Sequence, residues 1–122
     1  DKRRSGDDEK ARPAHVIGDI KGLDCLLVDD EIATGGTIFA ATEFLLDHGA
    51  KSVQAAIVHP VLSGRAIERL NASRLSRLIV TNTIPLSAEK RSPKIEVLSM
   101  APLLATAITH IHDGRSVSEL FS

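Results

Sequence analysis

The alternation of short aliphatic runs with helix-like segments constrains the fold of this chain more than any other feature. Strand-like runs are present at Cys25–Val28, Val53–Val58, Leu78–Val80 and Ile95–Leu98, with a shorter candidate at His15–Ile20. Helical patterns are present at Gly36–His48, Ser63–Leu70 and Met100–Ile111. Strands that alternate with helices imply right-handed crossovers between parallel neighbours. We therefore predict an α/β fold, with a mostly parallel sheet flanked by helices.

Finer features of these elements follow from their residues. The first helical pattern has an apolar side made of Ile38, Ala41, Phe44 and Leu45. Gly49 is placed to end that helix, and the last helix is expected to begin near Ser99 as N-cap, with Pro102 in its first turn. The run Cys25–Val28 is continuous, which fits a strand buried on both faces.

The composition agrees with this fold class and excludes several kinds of partner. Hydrophobic residues make up 43% of the 122 residues, and three Phe with no Trp or Tyr leave an aliphatic core. A formal net charge of −1 offers no broad field for nucleic acid or an anionic membrane. No apolar stretch approaches the roughly 20 residues that span a bilayer. The single cysteine, Cys25, cannot form an internal disulfide, so we expect a reducing, cytoplasmic setting.

The segment from Val28 to Thr37 carries the chemistry that the sequence offers. It reads Val-Asp-Asp-Glu-Ile-Ala-Thr-Gly-Gly-Thr, with acids at the end of a strand and a glycine-threonine loop that opens a helix. In an open parallel sheet, ligands bind beyond the carboxyl ends of strands. Glycine amides, two hydroxyls and the helix dipole favour a phosphate, whereas a carboxylate accepts hydrogen bonds from a vicinal diol such as that of ribose. The acid pair could also attract Mg²⁺.

This segment resembles the phosphoribosyl-pyrophosphate motif of type I phosphoribosyltransferase folds, in which apolar residues precede two acids and a TGGT-like loop. Four further segments resemble ribose-phosphate pyrophosphokinases in the same order, namely Asp1–Arg4, His59–Gly64, Thr81–Pro85 and Ser116–Phe121. The resemblance covers nearly the whole chain. It implies a type I phosphoribosyltransferase-like domain of an enzyme that transfers pyrophosphate from ATP to ribose-5-phosphate.

The resemblance implies a role for each matching residue. Lys2 and Arg4 become the cations of a mobile catalytic loop that stabilises the phosphates in transit, and Arg4 also contacts substrate. Asp29, and with it Asp30, takes the ribose hydroxyls. The 5-phosphate is assigned to Ala33, Thr34, Gly35, Gly36 and Thr37. A regulatory phosphate site at a subunit contact, which implies a homo-oligomeric parent, is assigned to Ser116 and Ser118.

The same resemblance organises the chain into two parts. Residues 1–14 are interpreted as the mobile catalytic loop, because nine of the first twelve residues are charged and Pro13 marks a break. Residues 15–122 are interpreted as the C-terminal domain of a longer parent. The ATP-binding segments and the principal Mg²⁺ ligands are expected in an N-terminal half, so no metal ligand is assigned within this sequence.

Ala33 departs from the pattern, since the resembled family carries an acid at this position. Backbone amides make most phosphate contacts in such a loop, so we expect this change to lower turnover more than binding. It leaves open a non-catalytic regulatory homologue that keeps the phosphate loop. A phosphoribosyltransferase is a further alternative, disfavoured because no base-recognition segment follows the sheet.

Overall fold

Four strands and three α-helices alternate along the part of the chain that the computed structural model describes, residues 18–122. The strands are β1 (Asp24–Ile32), β2 (Ser52–Pro60), β3 (Arg77–Thr81) and β4 (Ile95–Leu98). The α-helices are α1 (Gly36–Asp47), α2 (Ala66–Ala72) and α3 (Ala101–His112), and short 3₁₀ helices lie at Ala88–Lys90 and Val117–Phe121. This order confirms the α/β prediction. Of the candidate strand at 15–20, residues 18–20 form no strand and the rest lies outside the described residues.

All four strands are parallel, in the order β1-β2-β3-β4. Leu27 lies beside Ala55, Ala55 beside Leu78, and Leu78 beside Ile95. Because the strands are parallel and each crossover leads to the adjacent position, the carboxyl ends of all four meet at one edge of the sheet. Loops that bind a ligand are expected at that edge.

One face of the sheet carries the hydrophobic core. Its buried members come mainly from β2, β3, α1 and α2, and include Ile38, Val53, Ala55, Ile57, Ala66, Leu70, Leu78 and Val80. Thr42 of α1 is fully buried as well, and its hydroxyl donates to the carbonyl of Ile38 at 2.8 Å, so burial leaves no polar group unsatisfied. The predicted apolar side of α1 was therefore right at Ile38 and Leu45, but Thr42 is more deeply buried than Ala41.

The prediction that the first strand is buried on both faces is wrong. Leu26 and Val28 are 58% and 74% exposed, whereas Cys25 and Leu27 pack against the core from the other face. Among residues 18–122, β1 is an edge strand of the sheet, and its residues alternate between a covered and an open side. Exposed aliphatic side chains are also present on α3, at Leu103, Leu104, Ile108 and Ile111.

The helix ends only partly match the prediction. Gly49 follows α1 with a φ of 98°, and its amide donates to a carbonyl of the last turn at 3.1 Å, which confirms it as the glycine that ends the helix. At the start of α3, Met100 is the N-cap, and the Ser99 hydroxyl instead accepts a hydrogen bond from the amide of Ala101 at 3.1 Å. Among residues 18–122, no helix combines the length and the apolar character that crossing a bilayer requires.

We predict that truncating Leu78 destabilises the fold strongly, because this side chain is fully buried at the centre of the sheet. Leu78→Ala should lower the free energy of unfolding by about 2–5 kcal/mol, since it removes apolar burial and leaves a cavity. Leu104→Ala, a control at a residue that is 54% exposed, should change it by less than about 0.5 kcal/mol. Urea unfolding of both variants tests the prediction, and equal losses would contradict the assigned core.

A cluster of ion pairs centred on Arg74 connects the segment after α2 to α1. Arg74 donates from Nη2 to Asp47 Oδ1 at 2.8 Å and from Nε to Glu43 Oε2 at 3.0 Å. The hydrogen bond from Arg74 lowers the pKa of Glu43, and the carboxylates raise the pKa of Arg74. All three side chains are about half exposed or more, so solvent screens the cluster and its effect on stability is modest.

We predict that acid removes the stability that Glu43 contributes. Because the pKa of Glu43 is lower in the folded chain than in the unfolded chain, the contribution is complete above the unfolded value of about 4.5. It is lost as the pH falls through the lower folded value. Glu43→Gln should therefore be less stable than the unmodified chain at neutral pH, and the difference should shrink on acidification.

Urea unfolding of the two chains across this pH range measures that difference. Glu89→Gln is the matched control, because Glu89 is exposed and forms no ion pair with another described residue. Its effect should be small and should vary little with pH. If the difference in free energy of unfolding between Glu43→Gln and the unmodified chain stays constant from neutral to acidic pH, the ionised form of Glu43 does not stabilise the fold.

Candidate functional site

The acid pair lies within β1 rather than after it. The strand continues to Ile32, which corrects the expectation that it ends at the acids. Asp29 lies beside Ile57 of β2 and is half-buried, while Asp30 is exposed. Successive side chains of a strand point to opposite faces, so Asp29 shares the face of Leu27 and Asp30 points to the other. The carboxylate of Asp29 also accepts a hydrogen bond from the amide of Asp30 at 2.8 Å.

The loop between β1 and α1 is held by the segment that follows β2. The amide of Leu62 donates to the carbonyl of Ile32, and the amide of Ser63 to that of Ala33, both at 3.0 Å. Leu62 is 2% exposed and has a φ of 50°, a strained value for a non-glycine residue that its packing maintains. The loop therefore has a fixed base, although Thr34 itself is exposed.

Gly35 provides the turn from this loop into α1. Its φ of 84° lies in the left-handed region, and a Cβ atom at this position would overlap the ring of Phe39. Gly36 has no positive φ, and the nearest atom to its hypothetical Cβ is Thr34 Oγ1 at 3.9 Å. The fold thus requires a glycine at position 35. At position 36 the fold does not require glycine, but the absence of a side chain leaves the start of the helix open to a ligand.

The N-terminus of α1 is suited to an anion. No described side chain caps it, and no acidic side chain lies in its first turn. The first-turn amides have no helical carbonyl to bond, and the helix dipole adds partial positive charge. The carboxylates of Asp29, Asp30 and Glu31 lie on the preceding strand. The arrangement fits a ligand with an anionic group at one end and hydroxyl groups at the other.

Polar side chains at the ends of β2 and β3 extend this edge of the sheet. His59, near the carboxyl end of β2, is exposed, and its Nδ1 lies 2.9 Å from Thr83 Oγ1. The side-chain carbonyl of Asn82 accepts a hydrogen bond from the amide of Met100 at 2.8 Å, which links the ends of β3 and β4. Sequence reasoning gave His59 no role in the site. The available signal was its position after an apolar run, one strand away from the acids.

The remaining predicted site residues are elsewhere. Lys2 and Arg4 lie outside the described residues. The Ser116 hydroxyl accepts a hydrogen bond from the amide of Ser118 at 3.2 Å, and the two hydroxyls lie 2.6 Å apart. These bonds cap the 3₁₀ helix that begins at Val117. The serine pair therefore has a structural role, and its assignment to a regulatory site stays a prediction.

A separate hollow of about 400 Å³ lies along the connection between β3 and β4 and along β4 itself. Its lining is mostly apolar and consists of Asn82, Ile84, Pro85, Leu86, Arg91, Ser92, Ile95 and Val97. None of the acids or loop residues assigned to the sugar phosphate takes part in it. We place the candidate site at the loop, because its open amides and the nearby carboxylates can bind specific groups of a ligand. The size of the apolar hollow alone does not indicate a ligand.

The family relationship of the chain is clear from comparisons with known proteins. The phosphoribosyl synthetase-associated domain family matches residues 6–122. The chain belongs to this family. A ribose-phosphate pyrophosphokinase of Caldanaerobacter subterraneus subsp. tengcongensis is 53% identical over 112 residues, which are 92% of this chain and 35% of that protein. The ribose-phosphate pyrophosphokinase of Bacillus subtilis is 47% identical over 112 residues, with the same coverage.

A solved structure agrees with this membership of the phosphoribosyl synthetase-associated domain family. The crystal structure of phosphoribosylpyrophosphate synthetase from Mycobacterium smegmatis matches with a TM-score of 0.76 and 47% identity, over 80% of this chain and 33% of that one. The resemblance to ribose-phosphate pyrophosphokinases and the parallel α/β fold class are thereby confirmed. The chain spans only about a third of the length of these relatives.

We predict that Gly35 and Gly36 respond differently to alanine. Gly35→Ala should lower the free energy of unfolding by about 1–3 kcal/mol, because it introduces a side chain at a positive φ and displaces Phe39. Gly36→Ala should leave stability unchanged or raise it by up to about 1 kcal/mol, since alanine is the better helix former. Urea unfolding of the ligand-free variants tests this difference. Equal destabilisation by both would rule out the assigned loop geometry.

Proposed function

We propose that this chain provides the ribose-5-phosphate site of a ribose-phosphate diphosphokinase, which transfers pyrophosphate from ATP to the anomeric hydroxyl of the sugar. One observation carries the proposal. An uncapped helix N-terminus with its glycine loop follows a strand that carries adjacent carboxylates. The support from relatives is that proteins named ribose-phosphate pyrophosphokinase are 47–53% identical over 92% of this chain.

The ligand spans the loop and the strand. Its phosphate accepts hydrogen bonds from the amides and hydroxyls of the phosphate loop, Thr34 to Thr37, where the dipole of α1 is positive. Its 2- and 3-hydroxyls donate to the carboxylate of Asp29, which shares a face with the core side of β1, and Asp30 borders the ligand from the opposite side. Ala33 contributes backbone only, because its side chain is a methyl group.

Lys2 and Arg4 complete the proposed reaction. Negative charge moves along the phosphates as the pyrophosphoryl group passes from ATP to the sugar, and cations on a closing segment stabilise that charge. Arg4 is proposed to contact the substrate as well. Ser116 and Ser118 are proposed to offer two exposed hydroxyls to a regulatory phosphate in a homo-oligomeric longer protein. The lone cysteine, Cys25, supports a reducing, cytoplasmic setting.

Magnesium belongs to the proposed reaction as a partner of the ATP phosphates. Within residues 18–122, however, no group of three or more His, Cys, Asp or Glu side chains is arranged to hold a metal ion. No step of the proposed function is therefore assigned to a metal held by these residues. Their contribution is to bind and orient the sugar phosphate.

Ala33 favours a second candidate function, a regulatory module that binds a sugar phosphate without catalysis. A carboxylate at this position would lie beside the ribose and could help to orient it, and small errors in orientation lower turnover more than affinity. The amides of the loop do not depend on this side chain. Both candidate functions therefore require the same ligand at the same place, and they differ only in turnover.

We predict that ribose-5-phosphate binds with its phosphate at the loop and its diol at Asp29. In amide NMR titrations, the resonances of Thr34 to Thr37 and of Asp29 should shift first. 2-Deoxyribose-5-phosphate, which lacks one hydroxyl of the diol, should bind about 10- to 100-fold more weakly, because a hydrogen bond to a charged group is lost. Largest shifts around His110, on the last turn of α3, would show that the site is misplaced.

The variant Asp29→Asn separates the role of the carboxylate from that of the loop. It should narrow the difference in affinity between the two sugar phosphates, since a neutral acceptor replaces the charged one while the phosphate contacts remain. Asp24→Asn, at the opposite end of the same strand, is the matched control and should keep the preference for ribose-5-phosphate. Calorimetric titration measures each affinity. An Asp29→Asn chain with the full preference would remove Asp29 from the proposed site.

A further inference from the structure

We propose that His59 is a ligand-contacting residue of this site and that its Nε2 accepts a hydrogen bond from the anomeric hydroxyl of the bound sugar phosphate. The inference rests on the proposed function, because it takes the position of the sugar phosphate from there. It adds a residue on the neighbouring strand, and it assigns that residue to the one hydroxyl of the sugar that Asp29 and the phosphate loop do not contact.

A pair of threonine hydroxyls fixes the orientation of the His59 ring. Thr81 Oγ1 and Thr83 Oγ1 both donate to the carbonyl oxygen of Val58, at 2.6 and 3.0 Å. Thr83 Oγ1 also lies 2.9 Å from His59 Nδ1. The Thr83 hydroxyl has a single proton, which either the carbonyl of Val58 or Nδ1 of His59 can accept. We assign this proton to the carbonyl, so that Oγ1 accepts a hydrogen bond from a proton on His59 Nδ1.

This assignment leaves Nε2 with a lone pair. In a neutral imidazole one nitrogen donates and the other accepts, and the partner of the first decides which is which. His59 thus presents a hydrogen-bond acceptor that the threonine pair holds in place. The residue is exposed at the edge of the sheet, so a ligand can reach this nitrogen.

The register of the sheet brings His59 close to the acids. Asp29 lies beside Ile57, and Glu31 lies beside His59 two residues further along the same pair of strands. Glu31 and His59 are both exposed, so the His59 ring lies at the open edge of the sheet next to the acids of β1. Two residues of strand correspond to roughly 7 Å and the step between strands to roughly 5 Å, distances that a pentose ring and its substituents can span.

The hydroxyls of the ligand determine which group His59 meets. The cyclic form of ribose-5-phosphate has hydroxyls at carbons 1, 2 and 3, and its phosphate is on carbon 5. With the phosphate at the loop and the 2- and 3-hydroxyls at Asp29, only the anomeric hydroxyl is left for an acceptor on β2. A hydrogen bond to Nε2 would hold this hydroxyl in one orientation, and its oxygen is the atom that the proposed reaction joins to phosphorus.

The test compares ribose-5-phosphate with 1,4-anhydroribitol 5-phosphate, which lacks the anomeric hydroxyl. We expect the unmodified chain to bind ribose-5-phosphate about 2- to 10-fold more tightly, the range that one neutral hydrogen bond supports. In His59→Phe, which keeps a ring but has no acceptor, the two affinities should become equal. His112→Phe, at the exposed end of α3, is the matched control and should keep the preference.

Thr83 tests the mechanism without changing the histidine. Thr83→Val removes the hydroxyl that fixes the ring and should reduce the preference for ribose-5-phosphate, whereas Thr83→Ser keeps the hydroxyl and should retain it. ¹⁵N NMR of the imidazole provides an independent measurement. In the unmodified chain Nδ1 should appear protonated and Nε2 unprotonated, and this distribution should change in Thr83→Val but not in Thr83→Ser.

The outcomes separate this inference from the proposed function. If ribose-5-phosphate does not bind the unmodified chain, the proposed function fails and the inference fails with it. If it binds at the loop but His59→Phe keeps the preference, the proposed function stands and the inference is overturned. Glu31 is the competing acceptor, since it lies opposite His59. Loss of the preference in Glu31→Gln but not in His59→Phe would assign the contact to Glu31 instead.

Discussion

The parallel pairing of β1 with β2 determines where the polar groups of the candidate site lie. Parallel strands bring their carboxyl ends to the same edge, and the register places Glu31 beside His59 and Ile32 beside Pro60. The loop that follows β1 is then bonded to the segment that follows β2, through the amides of Leu62 and Ser63. A shift of one residue in this pairing would separate His59 from Glu31 and would move both loop contacts.

The sequence was sufficient for the elements and for the loop, because each has a strong local signal. A glycine pair between a strand and a helix predicts a tight turn at the start of the helix. The structure shows that Gly35 is required there by its φ of 84°. The length of β1 was not predictable in the same way. Apolar residues stop at Val28, but backbone hydrogen bonds to β2 do not depend on side-chain polarity, so the strand continues through the acids to Ile32.

Burial was predicted less well than secondary structure, for a physical reason. An apolar run reports the character of its side chains, whereas the covering of a face depends on elements that are distant in sequence. Leu26 and Val28 satisfy the pattern of a doubly buried strand and are nevertheless exposed. Thr42 shows the opposite error, since a polar residue is fully buried on α1 where its hydroxyl bonds the carbonyl of Ile38. Neither outcome is encoded in hydropathy.

In the proposed function, recognition of the ligand depends on two opposite electrostatic environments that lie next to each other. The amides at the start of α1 attract an anion, but the carboxylates of Asp29, Asp30 and Glu31 on the preceding strand repel one. A free phosphate ion would be attracted by the amides, and repulsion by the carboxylates would offset part of that attraction. In the proposed binding mode, a sugar phosphate uses both, since its hydroxyls donate to the carboxylates while its charge stays at the helix. The acids therefore contribute to selectivity as well as affinity, because they favour anions that carry a polyol over anions that do not. The proposed acceptor, His59 Nε2, would add a hydrogen bond at the same edge without adding the negative charge of a further carboxylate.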